Sequence, residues 1–87
     1  MARLGGDVQE MEQLQGQLKQ RSGEIQQLRS GLTNMVQNTY WEGPAASRFK
    51  SEWNGQYSSS LQNLEKLLVE LGDEVRRRKQ ALVDVSN

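Results

Sequence analysis

The chain contains no cysteine and no histidine among its 87 residues. The absence of cysteine excludes disulfides, thiolate nucleophiles and cysteine-ligated zinc or iron–sulfur sites. The absence of histidine removes the commonest metal ligand and general base. We therefore expect a protein that is not an enzyme and that uses no metal and no cofactor.

Charge of one sign and long hydrophobic runs are also missing. Eleven Lys and Arg balance eleven Asp and Glu, so the formal net charge is zero. No broad positive field is available for nucleic acid, and we expect neither a nucleic-acid partner nor a small-molecule substrate. No apolar run matches a signal peptide or a membrane span, so we expect a protein without a cleavable leader.

Only 34% of the residues are hydrophobic, which limits the core that this chain can form. Chains of this size usually require disulfides, a metal or oligomerisation for stability. With cysteine and histidine absent, oligomerisation remains. The composition thus predicts a protein that works with a partner.

The first half has the apolar pattern of an amphipathic helix. Leu4 begins a series at intervals of seven residues, and a second series lies three residues further on. Asp7 and Glu10 have the spacing of a capping box. We predict a helix over about 5–39. The two series consist of Leu4, Met11, Leu18, Ile25 and Leu32, and of Leu14, Leu28 and Met35.

The second half predicts another amphipathic helix, over about 44–83, with a short tail at 84–87. Its apolar residues step by three or four, and a bend or fraying is expected near Gly55 and Ser58–Ser60, which are weak helix formers. The stripe is formed by Phe49, Trp53, Tyr57, Leu61, Leu64, Leu68, Leu71, Val75 and Leu82.

Residues 40–44 separate the two stripes and contain Pro44, the only proline. Proline is excluded from helix interiors but suits the first position of a helix. Gly43 can adopt a positive φ or serve as the N-cap, and it leaves room for Trp41 to lie across the turn. A connection this short makes the helices antiparallel. The predicted fold is a single all-α domain over 1–87, an antiparallel two-helix hairpin.

Trp41-Glu42-Gly43 lies mid-chain, between long amphipathic helices, and is followed by Ala45, Ala46 and Phe49. In this respect the whole chain resembles the WXG-hundred family of early-secreted-antigen-like proteins. The resemblance implies a hairpin that dimerises into an antiparallel four-helix bundle. It also implies export in folded form, from the cytoplasm and without a cleavable signal peptide, by the type VII secretion machinery of Gram-positive and mycobacterial cells.

The chain departs from this family in one respect. Members that carry their own export signal have a Tyr followed four residues later by an acidic residue, and no Tyr follows Tyr57 here. The signal is then supplied by a partner or by another determinant, or the protein is an adaptor.

Within the bundle we expect the central leucines of the two stripes to pack within one hairpin and the remaining apolar residues to meet a second one. The partner is a second copy, a related hairpin or the helical N-terminal domain of a larger exported protein. The expected intrahairpin core is Leu18, Ile25, Leu28 and Leu32 against Leu61, Leu64, Leu68 and Leu71, and the expected partner contacts include Met11, Leu14, Trp53 and Tyr57.

Two other functions remain open from the residues alone. A filament-forming hairpin subunit of another secretion apparatus is similarly short and helical. A dimeric coiled-coil module could use the basic run Arg76–Lys79, but four consecutive helical residues spread around the circumference. We expect this run to be solvated and to complement the dipole at the helix C-terminus.

Overall fold

The computed structural model describes residues 5–86, apart from the side chain of Ser86, and Leu4 and the last tail residue lie outside that range. The described chain forms α1 (Val8–Asn38), α2 (Pro44–Glu52), a π-helical turn (Trp53–Tyr57, here the π-turn) and α3 (Ser58–Ser86). The last three run on continuously as one arm. The predicted all-helical architecture is confirmed: two helical arms form a hairpin.

Helix α1 begins three residues later than predicted because Asp7 caps it. The Asp7 Oδ1 accepts a hydrogen bond from the Glu10 backbone N–H at 3.0 Å. This satisfies one of the N–H groups that a helix start leaves without an intrahelical partner. At the other end, the Thr39 hydroxyl donates to the Met35 carbonyl at 2.6 Å, and α1 ends at Asn38.

Gly43 does not end α1, whose C-cap is Thr39, but it has the positive φ and the N-cap position expected for it. Its φ of 111° and ψ of 174° lie in a region that only glycine adopts readily, and it is the N-cap of α2. Pro44 occupies the start of that helix, and the Ser47 N–H donates to the Gly43 carbonyl at 3.0 Å. The turn therefore reverses the chain within five residues, 39–43.

The second arm differs from its prediction in two places. The irregularity expected near Gly55 is confirmed as the π-turn, but Ser58–Ser60, where it was also expected, are α-helical. The arm also continues to Ser86, so most of the predicted tail is helix. A π-turn accommodates one extra residue in a helix, and the weak helix-forming segment Asn54-Gly55 tolerates it.

The arms meet along a seam whose positions alternate three and four residues apart, as in a coiled coil. One position, d, is apolar, and the other, a, is mostly polar or small. The d residues are Met11, Leu18, Ile25 and Leu32 on α1 and Leu61, Leu68, Val75 and Leu82 on α3; the a residues are Gln15, Ser22, Arg29 and Val36, and Ser58, Glu65, Gly72 and Lys79.

The small a residues allow the helices to approach closely. Gly72 is buried, and a Cβ there would lie 3.7 Å from the Leu18 Cβ. Ser22 is buried too, and its hydroxyl donates to the Glu65 carbonyl at 3.0 Å. Backbone packs against side chain at this level, midway along the hairpin.

The hairpin is a rod without a closed core. It measures 65 × 18 × 18 Å, and its radius of gyration is 19.5 Å, against about 12 Å for a compact domain of this length. Among the described residues Ala46, at 2% exposure, is the only buried apolar side chain. One hairpin thus leaves many of its large apolar side chains exposed to water.

We expect Gly43→Ala to destabilise the protein by about 1–3 kcal/mol, because alanine is strained at this φ. Denaturation followed by circular dichroism at fixed protein concentration measures the change. The matched control is Gly23→Ala, where a Cβ meets nothing within 4 Å and φ is helical. It should stabilise the helix by up to about 1 kcal/mol. Equal effects of the two variants would contradict the turn geometry.

Candidate functional site

The candidate site is a row of exposed apolar side chains along one side of the hairpin, which we call the apolar face. These side chains keep between 38% and 85% of their surface accessible. They occupy the position just before a, called g, at intervals of seven residues. The apolar face consists of Leu14, Leu28 and Met35 on α1, Tyr57 at the end of the π-turn, and Leu64, Leu71 and Val85 on α3.

Antiparallel packing places both sets of g residues on the same side. Both arms contact each other through positions a and d, and they run in opposite directions. In such an antiparallel pair the g positions of the two helices flank the same side of the seam, and the e positions flank the other side. The half-buried d residues lean toward this side and widen the apolar surface. The opposite side carries the e positions, which are largely polar: Glu12, Lys19, Gln26 and Thr33, and Gln62, Val69, Arg76 and Val83.

Contacts across the seam set which g residues share a level. Ser22 meets Glu65, Gly72 lies against Leu18, and Trp53 meets Thr33. Given these contacts and the helical rise, the g residues of the two arms lie side by side in four pairs, which we call rows, from the turn to the open end. The rows are Met35 with Tyr57, Leu28 with Leu64, Arg21 with Leu71, and Leu14 with Arg78.

The structure differs from the sequence-based prediction of which apolar residues pack within the hairpin and which face a partner. Leu28, Leu64 and Leu71 were expected inside the hairpin, but they are 50%, 38% and 39% exposed because they occupy g positions. Conversely, Met11 and Trp53 were expected to face a partner, and they lie in the seam. Leu18, Ile25, Leu32, Leu61 and Leu68 lie in the seam as expected, and Leu14 and Tyr57 lie on the exposed side as expected.

Two arginines lie on the apolar face: Arg21 was not predicted to belong to a site, and Arg78 was considered only as part of the basic run. They follow the same seven-residue interval as the leucines, and this interval was the signal that could have found them. Each pairs with a glutamate of its own helix: Arg21 with Glu24 at 2.8 Å, and Arg78 with Glu74 at 2.9 Å.

A third ion pair crosses the seam and locks its register. The Arg29 Nε donates to the Glu65 Oε2 at 2.7 Å, and the Arg29 Nη2 lies 3.5 Å from the Glu65 Oε1. The hydrogen bond to Glu65 raises the pKa of Arg29, so the guanidinium group remains protonated. Toward the turn, the Trp53 Nε1 donates to the Thr33 hydroxyl at 2.9 Å, and this hydroxyl donates to the Arg29 carbonyl at 2.7 Å.

The turn end has its own aromatic cluster. The rings of Trp41 and Phe49 lie 5.6 Å apart at 51°, so the indole lies against the second arm as expected. A cavity of about 220 Å³ opens beside it, lined mainly by apolar residues that include Leu32, Met35 and Val36. A Cβ on Gly43 would meet nothing within 4 Å. Glycine is therefore required by the backbone, and the expectation that it makes room for Trp41 was wrong.

The basic run is placed differently from its prediction. Since α3 continues to Ser86, Arg76–Lys79 lie more than one turn from its end and gain little from the dipole. Arg76, Arg77 and Arg78 are exposed on successive sides of the helix, and Lys79 is half-buried in the seam. The four cations do not form one patch.

Nothing in the described part of the chain suggests a metal centre or a membrane span. Residues 5–86 contain no cluster of three or more carboxylates arranged to hold a metal ion. None of the described helices is long and apolar enough to cross a bilayer. What the geometry offers chemically is an apolar surface and a half-exposed aromatic turn.

Comparison with known proteins gave one informative result. The family model described as "Proteins of 100 residues with WXG" (WXG100) matches residues 4–85, which is nearly the whole chain. Searches of curated proteins and of solved structures gave no significant match.

We expect Phe49→Ala to expose the indole of Trp41 and to shift its fluorescence emission to longer wavelength. The measurement requires a Trp53→Phe background, so that Trp41 is the only emitter. Tyr40→Ala in the same background is the control, because the Tyr40 side chain is 88% exposed and should not shield the indole. An unchanged emission in the Phe49 variant would show that the two rings are apart in solution.

Proposed function

We propose, from the premise that this chain belongs to the WXG100 family of small secreted helical-hairpin proteins of type VII secretion, that it acts by protein–protein binding and not as an enzyme. It is a substrate or an adaptor of that system, and it forms a four-helix bundle with a second helical hairpin. Before export it resides in the cytoplasm, and it leaves without a cleavable signal peptide.

The observation that carries this proposal is the apolar face. Seven large apolar side chains lie on one side of a rod that has almost no buried core. Contiguous exposed apolar surface of this kind marks protein interaction sites in soluble proteins. A second hairpin laid against it converts two pairs of helices into a bundle, the usual way for amphipathic helices to cover their apolar stripes.

The partner contributes the other half of the core. A second copy, a related hairpin and the helical N-terminal domain of a larger exported protein all supply antiparallel helices of the required length. The half-exposed Trp41 and the cavity beside it remain at the end of such a bundle, where the secretion machinery can reach them.

Export of the full chain by a cell with a type VII system tests the proposal. We expect wild-type protein in the medium only when the secretion ATPase is intact. Leu64→Glu should reduce export about tenfold or more, because a charge at the centre of the apolar face opposes burial against the partner. Immunoblotting of medium and cell fractions provides the measurement.

Val69→Glu is the matched control. Val69 is 41% exposed against 38% for Leu64, and it lies on the opposite side of the same helix. Both variants therefore put a carboxylate at a similarly exposed position, and only one of them disrupts the apolar face. Equal loss of export in the two variants, or export that persists without the ATPase, would refute the proposal.

A further inference from the structure

The charges on the apolar face are all of one sign. Within the helices its two g columns carry Arg21 and Arg78 and contain no Asp or Glu; Asp7, one heptad before Leu14, is the N-cap of α1. Resting on the proposed bundle, we infer that the partner is a different helical chain, not a second copy, and that it carries a carboxylate facing Arg21.

Arg21 lies where symmetry is least favourable. With the two-fold axis across the helices, each helix faces its own copy in the opposite direction. The leucines match when Leu14 of one copy packs on Leu28 of the other. Arg21 is the midpoint between them, so Arg21 of one copy then lies opposite Arg21 of the other. Two guanidinium groups meet on the axis. A slide of one heptad removes this contact and presses Arg21 on Leu28 instead.

The other symmetric arrangement has its axis along the bundle and offers no anion either. There α1 faces α3 of the second copy, row by row, so that Arg21 meets Leu71 and Leu14 meets Arg78. Both cations lose water against leucine without a counter-charge from the facing column. In a dimer of two identical copies, an arginine therefore faces either another arginine or apolar surface, and both contacts are unfavourable.

The glutamates that now pair with the arginines hold them only weakly. The Arg21 and Glu24 side chains are 61% and 46% exposed, and those of Arg78 and Glu74 are 73% and 47% exposed. Exposed pairs of this kind contribute little and are easily exchanged. A carboxylate across the interface, in a partly dehydrated site, competes well for both guanidinium groups.

A partner of this chemistry is selected by electrostatics on top of a shared apolar surface. Its facing helix supplies leucine-sized residues opposite Leu14 and Leu28 and an acidic residue between them. Coiled coils choose partners in the same way, through charges at the positions that flank the apolar seam. Arg21 is the specificity-determining residue, and Arg78 adds to the preference.

The test uses the full chain and its Arg21→Glu variant, which carries the carboxylate that the partner should carry. Sedimentation equilibrium is measured for each protein alone and for their equimolar mixture. We expect weak self-association of each and a mixed dimer that is at least about tenfold tighter. The mixed dimer should weaken as salt is raised, because a charge contact defines it.

Two further variants separate charge from apolar contact. Arg21→Leu completes the α1 column with an apolar residue and should form a homodimer at least about tenfold tighter than wild type. Arg77→Glu makes the same change of charge at an exposed position away from the apolar face, and its mixture with wild type should not differ from wild type alone.

Two results would overturn the inference. One is a wild-type homodimer as tight as the mixture, which would show that self-pairing has no charge conflict. The other is an Arg21→Leu variant that associates no better than wild type, which would show that Arg21 does not limit self-pairing. Neither result bears on export, so the proposed function is judged separately by the Leu64 and Val69 variants.

Discussion

The alignment of the two arms depends on the short turn and on the contact between Arg29 and Glu65. The turn at 39–43 joins the arms covalently and limits how far they can slide, and the cross-seam ion pair of 2.7 Å is made in a single register within that limit. Ser22 against the Glu65 carbonyl and Trp53 against Thr33 act in the same sense. The rows of the apolar face, and hence the position of Arg21 within them, follow from this register.

The polar and small residues in the seam define the alignment of the two helices, but they reduce the apolar surface that the seam buries. Every second contact is polar or small, and Gln15 has a buried Oε1 without a hydrogen-bond partner. Such positions specify one alignment more strongly than they stabilise it. The apolar residues that a more hydrophobic seam would contain are displaced to the g positions. One pattern therefore produces a precisely aligned hairpin and leaves a surface that needs a partner.

Much of the hairpin could be predicted from the sequence because its signals are local. Asp7, Gly43 and Pro44 mark helix ends through backbone chemistry that requires no knowledge of the rest of the chain, and the heptads of leucine mark the helices themselves. The assignment of Leu28, Leu64 and Leu71 failed for a non-local reason. Each stripe is two columns wide, and only the opposing helix decides which column enters the seam. The complementary series of small and polar residues, with Ser22 and Gly72 at its centre, held that information.

The π-turn explains why Leu64 and Leu71, which were expected in the core together with Leu61 and Leu68, lie outside the seam. Counting from Trp53 in steps of four and three brings Tyr57 and then Leu64 and Leu71 into the seam, as an uninterrupted helix would require. The π-turn lengthens the first step to five, so that Ser58 follows Trp53 in the seam and Tyr57 is left 42% exposed. All later residues keep this shift, which puts Leu61 and Leu68 inside. A single inserted residue at the start of the arm thereby assigns a whole column of leucines to the partner-facing side.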